Sequence, residues 1–255
     1  MKVSHACKYC YAETWARRVG LNVWGGRSDR RFFSDRHWKE PLKWDKEAAK
    51  DGVRRRVFCA SMADVFEVRA ELNPWRERLW ELIDSTPNLD WLLLTKRPQN
   101  FSRYLPGGRA QENVWLGTTV ENQKWADKRI RDLVSCEGTI RFLSCEPLLG
   151  PIDLSAWLPS GDLDWVIAGG ESGGKARPTD PRWITSLRDQ CISSRVAFHF
   201  KQWGHWTPHG PGDGRKASTI TMDDDESIRL WRLSKKDAGR MLEGRTWDEV
   251  PVRAI

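Results

Sequence analysis

The sequence lacks any long uninterrupted apolar run, and it carries no secretory signal. No stretch approaches the ~20 apolar residues that a helix needs to cross a membrane. Six cysteines are scattered over 255 residues, which argues against a disulfide scaffold, because such frameworks belong to small secreted domains in oxidising compartments. These absences predict a cytoplasmic protein with free thiols and no membrane contact.

Internal repeats and low-complexity tracts are also absent, and no second Cys-x-x-Cys pair follows the one formed by Cys7 and Cys10. A structural zinc site requires four ligands. His5 stands only two residues before Cys7, a spacing that makes it difficult for both to bind one metal ion. A thioredoxin-type dithiol is expected at a strand end in a small fold, which this chain does not resemble. The pair alone leaves open a redox dithiol, zinc, an iron–sulfur cluster or no metal, and a cluster with an open coordination position fits better.

The chain is moderately basic and unusually rich in tryptophan. It contains 42 Lys and Arg against 35 Asp and Glu, a formal charge of +7. Such an excess suits a polyanionic partner without requiring one. Many of the 16 Trp stand beside charged residues, where an indole covers an amphipathic core or stacks on bases or adenine. Nucleic acid or a nucleotide is therefore the candidate partner.

Short runs of Val, Ile, Leu and Phe alternate with segments of helical periodicity, a pattern typical of parallel strands joined by crossover helices. The runs predict strands at 55–61, 90–96, 113–120, 140–146, 163–171 and 196–202, and helices at 73–86, 121–135 and 181–193. We expect residues 1–203 to form an α/β domain, a parallel (β/α) barrel or partial barrel. Residues 204–255 are expected to be an appendage of a Gly/Pro-rich loop, a polar stretch and a short helix near 234–244.

Polar residues stand where each predicted strand ends, and the carboxyl ends of parallel strands share one edge of a sheet, where active sites form. They are Ser61, Asp64, Lys96, Arg97, Glu121, Asn122, Glu146, Glu171, Lys201 and Gln202. We take Glu121, Glu146 and Lys201 as the candidate catalytic residues. Gly169 and Gly170 allow a ligand to approach the backbone closely, and Glu171 is placed to accept from an amino or ribose group.

Eight blocks of the sequence together resemble one known family. The blocks are "KVSHACKYCYAE", "RVFCASMADVF", "LLLTKRP", "NVWLGTTVENQ", "RFLSCEPLLGPIDL", "DWVIAGGESGGKARP", "LRDQC" and "FHFKQWG". They span nearly the whole chain and look like the successive blocks of a phage-associated family of uncharacterised (domain-of-unknown-function) proteins with an N-terminal three-cysteine motif. That motif, Cys-x6-Cys-x2-Cys after a strand, is similar to the cluster loop of radical S-adenosylmethionine (SAM) enzymes.

The resemblance implies a barrel of radical-SAM type whose cofactors are a 4Fe-4S cluster and SAM. Cys7 and Cys10 match the second and third cysteines as metal ligands, and Tyr9 matches the aromatic residue that packs near the adenine. A Gly-Gly-Glu like residues 169–171 often meets the methionine amino group in radical SAM enzymes. The first cysteine of the motif would fall immediately before Met1. We therefore expect either a start assigned to an internal Met, or a copy that has lost its first strand and one ligand.

Two other functions stay open at this point. The first is a basic, Trp-rich nucleic-acid-binding module with a vestigial metal site. The second is a divalent-metal nuclease or phosphoesterase built from Asp64, Glu121, Glu146 and Glu171, since clustered carboxylates can hold Mg²⁺.

Overall fold

The computed structural model describes residues 2–222 and 224–252. Its centre is a six-stranded parallel sheet whose strands follow one another in chain order and curl into a half-barrel. The strands are β1 (Arg55–Cys59), β2 (Leu89–Thr95), β3 (Val114–Thr119), β4 (Ile140–Cys145), β5 (Trp165–Gly169) and β6 (Ala197–Gln202). Every predicted strand is present, with ends within two residues of the expected ones, because period-two apolar runs identify buried strands well.

Helices join the strands and cover one face of the sheet. The α-helices are α1 (Tyr11–Arg18), α2 (Asp35–Trp38), α3 (Glu40–Asp51), α4 (Asn73–Asp84), α5 (Phe101–Tyr104), α6 (Gln123–Val134), α7 (Pro181–Ser194) and α8 (Lys235–Ala238). The three predicted crossover helices correspond to α4, α6 and α7 and are confirmed within two residues. Two of them begin at side-chain caps, since Asn122 accepts from the Trp125 N–H and Asp180 from the Arg182 N–H.

Alternate residues of each strand supply two different apolar surfaces, as the period of an extended chain requires. Toward the helices, Leu93 and Leu116 join the main core with helix residues such as Ile130. Toward the inside of the half-barrel, a smaller cluster contains Leu92, Trp115, Ile140, Phe142 and Trp165. The inner face is therefore largely aromatic toward the amino ends of the strands. The inward positions that follow along each strand lie nearer the carboxyl edge of the sheet.

The chain after residue 203 holds more regular structure than the sequence predicts. Strands β7 (Trp206–Thr207), β8 (Thr219–Met222) and β9 (Asp225–Arg232) form an antiparallel sheet in the order β7–β9–β8. The expected short helix is present as α8. The strands were missed because β8 and β9 are mostly exposed and polar, so they lack the apolar runs that marked the central sheet.

The tail folds back onto the last strand of the half-barrel. The Trp247 ring packs edge-on against Phe198 with centroids 6.0 Å apart, and the Trp165 indole N–H donates to the Glu249 carbonyl at 2.9 Å. Across 2–222 and 224–252 we find no helix of the length and apolarity that spanning a membrane would require.

Candidate functional site at the carboxyl edge of the half-barrel

The inward positions of four strands change from apolar to polar at the carboxyl edge. Lys96, Thr119, Glu146 and Lys201 continue the inward alternation of β2, β3, β4 and β6. The Lys96 ammonium donates to the Thr119 hydroxyl at 3.1 Å, and the Lys201 ammonium donates to the Glu146 carboxylate at 2.8 Å. Together with Glu121 and Glu171, these residues form what we call the mouth.

Glu121, which follows β3, is the most enclosed carboxylate of the mouth. Its side chain is 0% exposed, and its Oε2 accepts from the Arg129 guanidinium at 2.9 Å. Arg129 also donates to the Thr119 carbonyl at 2.7 Å and lies over the Trp125 ring at 3.9 Å. Burial lowers the pKa of Arg129, and the charge of Glu121 opposes that shift. A guanidinium stays protonated even so, hence Glu121 and Arg129 form a buried ion pair.

The cysteine-bearing segment, residues 5–11, lies across the mouth. The Ala6 N–H donates to Glu121 Oε1 at 3.4 Å. Arg177, in the loop after β5, donates to the His5 carbonyl at 3.1 Å. The Tyr11 hydroxyl donates to the Ser61 carbonyl just after β1. These contacts tie the segment to the ends of three separate strands, which sets both cysteines at the carboxyl edge.

The two thiols differ in their surroundings. Cys7 is buried, and a thiolate there would raise the pKa of Arg129. Cys10 is half-buried at the start of α1. Burial raises the pKa of the Cys10 thiol, while the first N–H groups of α1 and the charge of Lys96 act in the opposite direction. A thiolate at Cys10 would thus meet a cation and a helix amino terminus.

Tyr9 and Tyr11 flank Cys10 and face different parts of the site. The Arg177 guanidinium lies 5.4 Å from the centre of the Tyr9 ring. Burial raises the pKa of the Tyr11 phenol, and the nearby charges of Cys10 and Glu146 raise it further. Cys10 and Glu146 therefore lie within electrostatic reach of the same ring.

Glu171 and the glycines before it make close contacts with other parts of the protein. Both carboxylate oxygens of Glu171 accept from the Arg177 guanidinium, at 2.6 and 2.8 Å, and the Arg177 N–H adds a third bond at 2.8 Å. A Cβ on Gly170 would lie 2.0 Å from the Trp203 carbonyl oxygen, whereas one on Gly169 would lie 3.3 Å or more from its neighbours. Gly170 thus lets two backbone segments cross.

Other strand-end residues make contacts of their own around the mouth or in the core. Asp64 accepts from Arg97 and from the Thr95 hydroxyl, at 2.7 Å for the latter. Gln202 reaches Glu146 at 3.1 Å. Trp203, which follows β6, is a buried core residue whose indole N–H donates to the Met241 carbonyl at 2.8 Å.

The remaining cysteines lie apart from the two at the mouth. Cys145 and Cys191 are fully buried core residues, and Cys136 is buried beside α6. Burial raises the pKa of Cys59 and of Cys191 to about 12. These thiols stay neutral at ordinary pH and behave as small apolar side chains.

Sequence reasoning missed Arg129 and Arg177, the two cations that organise the mouth. Arg129 does leave a signal, because it stands on the buried face of α6 beside Ala126, Ile130 and Leu133. An arginine among apolar positions of helical period predicts a buried partner. Arg177 leaves no such signal, since it lies in an irregular loop.

Cys7 and Cys10 bring two thiols to the mouth, and thiolates are the ligands that iron–sulfur centres use. Within the described part of the chain, no group of three or more His, Cys, Asp or Glu side chains could hold a metal ion. Arg129 Nε and Nη2 are buried without a hydrogen-bond partner among the described residues. Buried donors left unpaired within electrostatic reach of a thiol suit an anionic group at that position.

Fold and site together define an α/β half-barrel protein whose carboxyl edge carries a cysteine segment and paired charges. Residues 1–251 match the family described as "Protein of unknown function (DUF5131)", and the chain belongs to that family. The expected membership in an uncharacterised family is thereby confirmed. Neither the curated proteins nor the solved structures contain a significant match to the chain.

Proposed function

We propose that this protein is a radical-SAM-like iron–sulfur enzyme of phage origin that acts on nucleic acid or a nucleotide. One observation carries the proposal: the segment with Cys7 and Cys10 is fastened across the carboxyl ends of the strands, where α/β barrels assemble their active sites. The family resemblance of the same segment supplies the chemistry.

Cys7 and Cys10 would hold the metal centre. With SAM bound, a 4Fe-4S cluster supplies reductive cleavage of SAM and so starts radical chemistry. The residues around it have separate tasks. Glu121 fixes the backbone of the segment through the Ala6 N–H, while Arg129 places a buried positive charge within electrostatic reach of Cys7. A metal ligand must be a thiolate, which is anionic, so that positive charge favours the ligating form of the cysteine.

Other residues of the mouth would position the ligands. The Tyr9 ring is offered to the adenine of SAM, and Gly169, Gly170 and Glu171 line the turn that would meet its amino acid moiety. Glu171, with Arg177 bound to it, presents a carboxylate whose orientation is fixed before a ligand arrives. Glu146 is partly exposed and Lys201 is about half exposed, and this pair would exchange a proton with, or bind, a polar substrate group.

The divalent-metal hydrolase has less support from the same geometry. Glu121, Glu171 and Asp64 each accept from an arginine, and Glu146 accepts from Lys201. A cation already bound to each carboxylate competes with Mg²⁺ for the same oxygens. The binding-module alternative predicts nucleic-acid binding in protein that takes up no iron.

Anaerobic reconstitution with iron and sulfide tests the proposal. The chain and a variant with one cysteine added before Met1 are compared, each with and without Cys7→Ala/Cys10→Ala. We expect the added cysteine to raise iron toward about four per chain, with the broad visible absorbance of a 4Fe-4S cluster, because a third thiolate anchors it. The double alanine variant should take up no iron in either background.

Cys136→Ala/Cys191→Ala is the matched control, because it removes two thiols that lie away from the mouth. It should keep the iron content of the unmodified chain. Uptake of zinc in preference to iron, or iron retained by Cys7→Ala/Cys10→Ala, would refute the iron–sulfur assignment and favour the binding module.

A further inference from the structure

An exposed group of aromatic rings stands beside the first strands of the half-barrel. Phe32 stacks on Trp75 with ring centroids 4.4 Å apart and planes 9° from parallel, and Trp38 extends the stack at 5.8 Å. The adjacent Phe33 packs on His37. Phe32 is 40% exposed and Phe33 is 49% exposed. Rings that are stacked yet still open to solvent form a preordered apolar surface.

The same surface carries an excess of positive charge. Residues 27–39 contain five Arg and Lys against two Asp. Arg31 stacks near the Phe33 and Trp15 rings, at 5.7 and 5.6 Å, without a carboxylate partner in the described structure. Arg27, Arg36 and Lys39 are exposed, and no ion pair involves them in 2–222 or 224–252. We call Arg27, Arg31, Phe32, Phe33, Arg36, Trp38, Lys39 and Trp75 the aromatic–basic strip.

The strip is connected to the mouth through two separate links. Trp15, under the Arg31 guanidinium, is on α1, which begins directly after Cys10. At ~1.5 Å of rise per residue, Trp15 lies about 6 Å along α1 from Tyr11. On the other side, Arg30 pairs with Glu67 at 2.6 Å, in the loop that follows β1. A bound chain molecule could therefore reach from the strip into the mouth.

From this arrangement we infer that the aromatic–basic strip binds a single strand of nucleic acid and leads it to the mouth. Unpaired bases would stack on Phe32 and Phe33, since each base offers a flat face, and phosphates would contact Arg27, Arg31 and Arg36. A duplex keeps its base faces covered and would gain only the phosphate contacts. The delivery to the mouth rests on the proposed function, whereas the binding itself does not.

Fluorescence anisotropy with a labelled oligothymidylate of about 20 nucleotides tests the strip. Phe32→Ala/Phe33→Ala should raise the Kd at least about tenfold, because two stacking surfaces are lost. Arg31→Ala should raise the Kd and also flatten its dependence on salt, because a phosphate contact is removed. Ile192→Ala and Arg131→Ala, an exposed apolar residue and an exposed arginine on other helices, are the matched controls and should bind like the unmodified chain.

Conservative variants separate stacking from folding. Phe32→Trp keeps an aromatic face and should bind like the unmodified chain, while Phe32→Leu keeps apolar volume, should fold, and should bind more weakly. Equal binding by Phe32→Leu and Phe32→Trp, or a Kd within twofold of the unmodified chain for Phe32→Ala/Phe33→Ala, overturns the inference. A blunt duplex bound more tightly than the oligothymidylate also overturns it.

The iron assay keeps the two proposals distinct. Cys7→Ala/Cys10→Ala should lose iron and still bind the oligothymidylate, and Phe32→Ala/Phe33→Ala should bind iron like the unmodified chain. Loss of oligothymidylate binding in Cys7→Ala/Cys10→Ala would count against the strip as the binding surface, whatever its iron content.

Discussion

Two neighbouring strands, β3 and β4, are each followed by a glutamate that pairs with a cation, yet the two pairs differ in exposure. Glu121 and Arg129 are 0% and 2% exposed, whereas Glu146 and Lys201 are 19% and 51% exposed. We call these the closed pair and the open pair. Removal of charge from water costs so much that the closed pair needs both of its members. In the open pair Glu146 is partly exposed and Lys201 is about half exposed, so water can reach both charges and the partners can be exchanged.

Because of this difference in exposure, we expect different roles for Glu121 and Glu146, although each is a glutamate that follows a strand. The closed pair fixes structure, because Glu121 also accepts from Ala6 in the cysteine segment. The open pair keeps a carboxylate and an ammonium accessible at the same edge of the sheet. We make four predictions about the two pairs and the residues around them, in order of decreasing expected effect.

Glu121→Ala should lower the free energy of unfolding by about 3–5 kcal/mol, because it leaves the Arg129 charge buried without a partner. Glu146→Ala, the matched change in the open pair, should cost under about 1 kcal/mol. Urea denaturation of both variants measures the difference. Glu121→Leu/Arg129→Leu should lose less than Glu121→Ala, since no unpaired charge remains. Equal losses for Glu121→Ala and Glu146→Ala would remove the distinction between the pairs.

Gly170→Ala should destabilise the fold by about 1–3 kcal/mol, because the new methyl group would overlap the Trp203 backbone. Gly174→Ala is the control four residues further on, where a Cβ would meet nothing within 4 Å. Its effect should stay within about 0.5 kcal/mol. Thermal and urea unfolding measure both. A harmless Gly170→Ala would mean that the crossing of the two segments is not closely packed.

A double-mutant cycle with Glu146→Gln and Lys201→Met should give a coupling energy of about 0.2–1 kcal/mol, which falls in high salt because the pair is hydrated. The measurement is urea denaturation of the single and double variants at low and high ionic strength. Coupling above about 2 kcal/mol, or coupling that ignores salt, would place this pair with the buried class instead.

The smallest expected effect concerns pH. Burial lowers the pKa of His199 from 6.5, and the charges of Arg240 and Lys201 act in the same direction, against Asp248 and Glu146. The unfolded chain therefore takes up a proton below about pH 6.5 before the folded protein does. The resulting stability is present above that pH and is lost as the pH falls through the folded-state pKa.

His199→Asn should lessen the fall in unfolding free energy between about pH 7 and pH 5, because that proton uptake is removed. Urea denaturation at both pH values, with the unmodified chain as reference, gives the comparison. An unchanged or steeper fall in His199→Asn would show that His199 does not titrate in this way.

The central sheet was predictable because the residues that indicate each strand are neighbours in the sequence. Strands β2 to β5 are apolar runs buried on both faces of the sheet, which gives them a clear pattern, while the edge strands β1 and β6 have more exposed residues. The exposed strands β8 and β9 lack that pattern, and they were missed. The helices α2 and α3, before β1, were also not predicted.

The candidate site was predictable as a set of positions but not as a set of partners. The sequence placed Glu121, Glu146 and Lys201 at strand ends, and the structure brings Glu146 and Lys201 into contact. It did not reveal that Glu171 binds Arg177 or that Gly170 faces the Trp203 backbone. The roles of these residues in catalysis and in cofactor binding stay predictions.

The order of strands and helices follows from periodicity along the chain, so the amino-acid sequence alone was sufficient to predict it. The edge at which polar groups collect was predictable for a second reason, because parallel strands all end on one side of their sheet. Which of the two ion pairs is buried and which is exposed depends on the tertiary structure. That choice depends on segments far apart in the chain: the cysteine segment at residues 5–11 covers Glu121, while Lys201 arrives from β6 at a more exposed position. Burial, set by those distant contacts, gives chemically similar pairs different energies and different uses.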